Sequence, residues 1–271
     1  LKNIEKILKL DHSITITDEE DEHQGLDPWV QWVSIHSGMP FRTHKICRLS
    51  ETKKQDFKQI WNVFGENKNY ECGIWGVMNA PLGGDIGIKF FVPDPWSFDE
   101  IATPSYLNNF LSLPRYIAKN YLSIRVTQSL KEFFKMASFI YHNRGNGKTR
   151  KFFGMIFKSF FISGINIHTF STLLDFLSTL YFIELKDKLS TNFNIIFLNH
   201  IAHIQHQFWN EPDQEISKHM KFALIICNEI LGMLIDSLEN NEQLLVVNGI
   251  RQKFVKGDGL FIDKKILFLF L

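Results

Sequence analysis

Apolar positions along the chain alternate between a helical period and short unbroken runs. Leu1 to Leu10 carries apolar residues at 1, 4, 7, 8 and 10, one face of a helix. Thr17 to Gln24 is acidic and polar and reads as a loop. Trp29 to Ser37 is apolar and β-branched up to Gly38, a pattern that suits a buried helix or a strand. Lys53 to Phe64 predicts a helix with Phe57, Ile60, Trp61 and Phe64 on one face, ending at Gly65.

The runs Glu71–Met78, Ile86–Val92, Asn194–Leu198 and Leu244–Val247 predict strands. Pro93-Asp94-Pro95 stops the second, because proline cannot donate to a ladder, and Asn248-Gly249 marks a turn after the fourth. Tyr106 to Ile183 is mostly helical in pattern, broken at Asn143–Gly147, and Glu215–Glu239 predicts a long helix. Strands alternating with long helices imply an α/β fold with a mostly parallel central sheet flanked by helices. The expectation is one domain over 1–271 with a helical insertion at about 104–190.

Composition narrows this picture. Hydrophobic residues at 45% against 22% charged supply a sizeable core and argue against wholesale disorder. A net charge of +1, from 30 basic and 29 acidic side chains, gives no electrostatic case for a nucleic-acid partner. Cys47, Cys72 and Cys227 are far apart and read as reduced thiols, which suits the cytoplasm. The chain starts at Leu1 with no signal-peptide pattern, and the absent Met suggests a fragment or processed product. It ends in the apolar run Ile266–Leu271, as a cut chain or a buried last strand would. Phe152–Ile183 is the longest apolar stretch. Lys158, His168 and Asp175 interrupt it, so buried or amphipathic helices are expected and no membrane span.

The strongest chemical signal is Phe197 to Trp209, where an apolar strand runs into a segment with His200, His203 and His206. Residues three apart on a helix share a face, but the face drifts by about 60° per step, so one ion would take two of the three. The cluster begins at the carboxyl end of a strand, where open α/β sheets bind ligands. The competing reading is a helix with solvated or core-bonded histidines.

Two further segments carry candidate groups. Asp27 to Pro40 holds Ser34, His36 and Ser37, with His44 shortly after; adjacency in sequence does not make a triad. Asn79 follows one strand and Asp94 another, so both can reach the same sheet edge, or each can be a turn former bonded to its own backbone. Gly145-Asn146-Gly147-Lys148-Thr149 is not a phosphate loop, because His142 and Asn143 occupy the place where that loop needs its first glycine. The basic run Lys148–Lys158 reads as a solvated helix face.

Together these segments resemble the alkaline phosphatase superfamily, in its type I phosphodiesterase/nucleotide pyrophosphatase-like branch. Ser37-Gly38-Met39-Pro40 with His44 is similar to that family's Thr-Gly-x-x-Pro-x-x-His segment. Asn199 and His203 match its Asp-x-x-x-His metal pair in spacing, with Asn for Asp. The family's first metal-binding strand would lie before Leu1. Its nucleophile position is Pro28 here, with Asp27 and Ser34 the nearest candidates, and Asn248-Gly249 replaces its Asp-His.

The resemblance implies a metal-dependent hydrolase of small phosphate or sulfate esters, or a catalytically inactive relative that binds a ligand or partner. The metal would be a divalent ion, zinc first, then manganese or magnesium. Asn199, His203 and His206 would be ligands, Asp94 or Asp27 a supporting carboxylate, and Asn79, Asp94 and His200 would meet substrate. A glycan-processing transferase rests only on Trp29, Trp32, Trp75 and Trp96, which core packing explains more cheaply.

Overall fold

The computed structural model describes residues 1–14, 27–51, 56–67, 70–82, 86–143, 145, 147–208 and 215–248. The Thr17–Gln24 loop, the start of the Lys53–Phe64 run, Trp209, Gly249 and the Ile266–Leu271 run lie outside them.

The centre is a parallel three-stranded sheet of order β2-β1-β3, formed by β1 (Cys72–Trp75), β2 (Ile88–Val92) and β3 (Phe193–Ile196). β1 pairs with both neighbours, Trp75 standing opposite Val92 on one side and Ile196 on the other. Every residue of β1 is buried, which is why it reads as a continuous apolar run rather than an alternating one. The pleat then separates two cores. Trp75, Phe90 and Val92 face one, with Ile196 and Leu198 packed against it; Ile74 and Phe91 face the other, with Phe193 and Ile195.

Gly73 makes the close packing of β1 feasible. A Cβ there would stand 2.2 Å from the Phe90 ring and 2.6 Å from Asn194 Oδ1.

Helices α1 (Lys2–Leu8), α2 (Pro28–Ser37), α3 (Phe41–His44) and α4 (Ile60–Glu66) precede the sheet. The ambiguous Trp29–Ser37 run is helical. Pro28 starts it with a preset φ, and Gly38 at φ +69° closes it in a conformation other residues rarely adopt. α4 is shorter than its apolar pattern suggests. Gln59 and Asn62 form a reciprocal capping box that sets its start at Ile60, and Gly65 lies inside it.

Between β2 and β3 lie α5 (Asn108–Lys119), α6 (Val126–His142), α7 (Lys148–Ile162) and α8 (Ile167–Leu189). They are not an appendage, since Phe110, Phe139, Phe176 and Tyr181 join the core that holds Phe90 and Val92. Full burial of each such ring contributes roughly 2–3 kcal/mol before entropy is counted. After β3 come α9 (His200–Phe208) and α10 (Lys218–Asp236), the latter capped by Ser217 accepting from the Met220 N–H.

The expected fourth strand is not formed. Leu244–Val247 pairs with no strand among the described residues; Leu244 packs on the core, and Leu245 is 83% exposed. Four apolar residues favour extension, but a strand also needs a neighbour with free backbone groups. No helix among the described residues is long and apolar enough to cross a membrane.

Candidate functional site

All three strands end on one side, and a cleft of about 150 Å³ opens there. Gly76, Pro93, Asp94, Phe197 and Asn199 come from the strand ends, Pro114 from α5, Ser171, Asp175 and Ser178 from α8, and His200 and His203 from α9. This is where an open parallel sheet binds ligands. Four of the residues singled out in the sequence, Asp94, Asn199, His200 and His203, therefore meet in one place.

Asp175 organises the cleft, and the sequence reading did not assign it a role. Its Oδ2 accepts the backbone N–H of Asn199 at 2.7 Å, that of His200 at 2.8 Å, and His200 Nδ1–H at 2.9 Å. A carboxylate from α8 thus caps the start of α9 and favours the helix dipole. The signal was available: Asp175 is the lone Asp, Glu, Lys or Arg between Ile167 and Ile183, and a carboxylate there needs a partner.

His200 is buried, which opposes charging of its ring. The hydrogen bond and charge of Asp175, with Cys227 close by, outweigh that and take it from 6.5 up to about 9. Cys227 acts through proximity; its thiol is not in hydrogen-bonding geometry with the buried Nε2. His200 is therefore a protonated anchor of α9.

His203, one turn further on, meets a histidine that the sequence reading noted only as an interruption. His168 Nδ1 lies 3.3 Å from His203 Nε2. The His219 ring is 5.8 Å from that of His168 and stacks on Phe208 at 4.3 Å. Burial, helped by the charges of His168 and His206, lowers the His203 pKa against the pull of Asp175; burial, Lys218 and His168 lower that of His219. Both shifts favour neutral imidazole, the form that offers a lone pair.

A zinc ion with Zn–N bonds of about 2.0–2.1 Å places tetrahedral ligand atoms about 3.3–3.4 Å apart. The His168–His203 pair fits one edge of such a tetrahedron. Among the described residues no group of three His, Cys, Asp or Glu side chains closes around one point. His206 and Asn199 are exposed, and His206 does not line the cleft.

The remaining candidates have structural partners. Asp94 bends its own chain, accepting the Trp96 N–H at 2.8 Å and the Ser97 hydroxyl. Burial raises its pKa against the lowering effect of those bonds, the Asn79 N–H and Arg115. Asn79, at φ +52°, ties three segments together: its amide accepts the Ser50 N–H at 3.0 Å and donates to the carbonyls of Arg48 at 2.9 Å and Trp29 at 3.3 Å.

Asp27 is the N-cap residue of α2 without a side-chain capping bond, and Ser34 sits on the same helix beside His44. Neither lines the cleft; α2 meets its wall through Trp32, edge-on to Phe197 at 4.9 Å. Comparison of the chain with protein-family models, with curated proteins and with solved structures gave no match.

Proposed function

We propose that this chain is a divergent, alkaline-phosphatase-like hydrolase of small phosphate or sulfate esters that works with a divalent metal, zinc first. The observation that carries this is the pair His168 Nδ1 and His203 Nε2, 3.3 Å apart, with His203 lining the cleft at the carboxyl ends of the sheet and His168 beside it. These two imidazoles would hold the ion on the protein side. A divalent ion bound there supplies Lewis acidity toward an ester oxygen and offsets developing negative charge.

The chain's own groups do the rest. Asp175 and His200 hold the first turn of α9, and with it His203, in place. Ser171, Ser178 and Asn199 put polar groups on the cleft wall for ester oxygens. Trp75, Phe110 and Phe197 make the remaining wall apolar, which limits water and strengthens the polar contacts.

The test is zinc binding by the full chain, followed by hydrolysis of bis(p-nitrophenyl) phosphate and p-nitrophenyl sulfate with zinc, manganese or magnesium. The expected result is bound zinc and a chelator-sensitive turnover, both lost in His203→Ala. Absence of both in the wild-type chain overturns the reading.

A second reading, a binding protein without turnover, is favoured by a specific observation. The carboxylates lining the cleft, Asp94 and Asp175, are already engaged in hydrogen bonds within the chain. On this reading the chain binds phosphate or sulfate esters and leaves them intact.

A further inference from the structure

Helix α7 faces solvent with the wrong chemistry for a solvated surface. Its inward side is apolar, as expected: Phe152, Met155, Ile156 and Ile162 pack on the main core. Its outward side is apolar too. Phe153 is 60% exposed, Phe157 65%, Phe160 55% and Phe161 76%. At about 100° per residue these four rings fall within an arc of roughly 100°. Isolated exposed rings are ordinary, but four along one stripe form a patch that monomeric proteins rarely leave to water.

The charge on the same helix is one-sided. α7 carries Lys148, Arg150, Lys151 and Lys158 and no acidic residue, in a chain whose net charge is only +1. Lys148 is turned inward to Glu184. Arg150, Lys151 and Lys158 are exposed, with Lys151 and Lys158 on one flank of the phenylalanine stripe and Arg150 at its start. The sequence alone suggested a solvated basic face, but here the bases border the aromatics.

We propose that the outward face of α7 is a membrane-surface binding site for anionic phospholipid bilayers. The phenylalanines enter the headgroup–acyl boundary while the flanking bases meet lipid phosphates, the arrangement of a helix lying in the interface plane. An anionic bilayer satisfies both the apolar stripe and the unbalanced positive charge at once. The chain lies on the membrane, and no described helix spans it.

The experiment is co-sedimentation of the full chain with phosphatidylcholine vesicles, with and without phosphatidylglycerol, at low and high salt. Binding is expected to the phosphatidylglycerol vesicles and to weaken with salt. The double variants Phe157→Ser/Phe161→Ser and Lys151→Glu/Lys158→Glu should each lower the partition coefficient by about tenfold or more. All four side chains face solvent, so the circular dichroism spectrum and melting temperature should be retained. The proposal is overturned by no binding to phosphatidylglycerol vesicles, by equal binding to neutral ones, or by variants that bind like wild type. It is also overturned if the wild-type chain self-associates in solution and the phenylalanine variant alone relieves it, which would make the stripe a contact between copies.

Discussion

Ser34 Oγ lies 2.9 Å from His44 Nε2, and the hydrogen between them belongs to the histidine. The backbone N–H of Ile46 donates to His44 Nδ1 at 3.0 Å, so Nδ1 has to accept and Nε2 carries the proton toward Ser34. A ring that donates to a hydroxyl does not take its proton, so this pair lacks the polarity of an activated nucleophile. The pair ties the end of α3 to α2. Ser34→Ala should leave any ester hydrolysis unchanged and cost about 1 kcal/mol in urea unfolding. A loss of turnover with unchanged stability would restore Ser34 as a catalytic candidate.

His200 sets the alkaline limb of stability. Its folded pKa of about 9 lies above the ordinary histidine value of 6.5, so its contribution is fully present below pH 6.5. It is lost as pH rises through about 9, a decline on the order of 3 kcal/mol. Unfolding midpoints measured from pH 6 to 10 should show this fall. Asp175→Ala should remove it and lower stability at pH 7 by about 3–5 kcal/mol, because three donors and a charge lose their acceptor.

His36 acts in the opposite direction at acid pH. It lies against Trp32 and Trp61, and burial lowers its pKa from 6.5 to about 4. Between those values the unfolded chain binds a proton that the fold excludes, so stability falls as pH drops through that window. His36→Phe should flatten this acid limb, leaving a residual slope from His203 and His219, whose pKa values are also lowered. An unaltered limb in the variant would assign the slope elsewhere.

His168 is expected to matter more for zinc than His206. His168 Nδ1 stands at ligand spacing from His203 and is half-buried, whereas His206 is exposed. Calorimetric titration of zinc should therefore show a larger loss of affinity for His168→Ala than for His206→Ala. The reverse order would return the site to the helical histidine pair.

Gly73→Ala should destabilise the sheet by about 1–3 kcal/mol, the usual cost of overpacking a filled core. The added methyl meets Phe90 and Asn194 on the two neighbouring strands at once. Chemical denaturation of the variant measures it, and a neutral result would mean that β1 and β2 can move apart freely.

Local pattern determined a good deal by itself. The apolar runs that became β1, β2 and β3, the long helix that became α10, and the strand-end position of the histidines all follow from periodicities and breakers a few residues long. What only the tertiary structure decided involves partners far apart in the chain. His168 and His203 are 35 residues apart, and Asp175 and His200 are 25, yet each pair is in contact. Leu244–Val247 looked like a strand because its residues favour extension, but a strand needs a neighbour and it pairs with none among the described residues. The Lys148–Lys158 run looked solvated because charge is visible in a sequence. Which side of α7 faces the core is settled only by packing, and that packing leaves four phenylalanines outside.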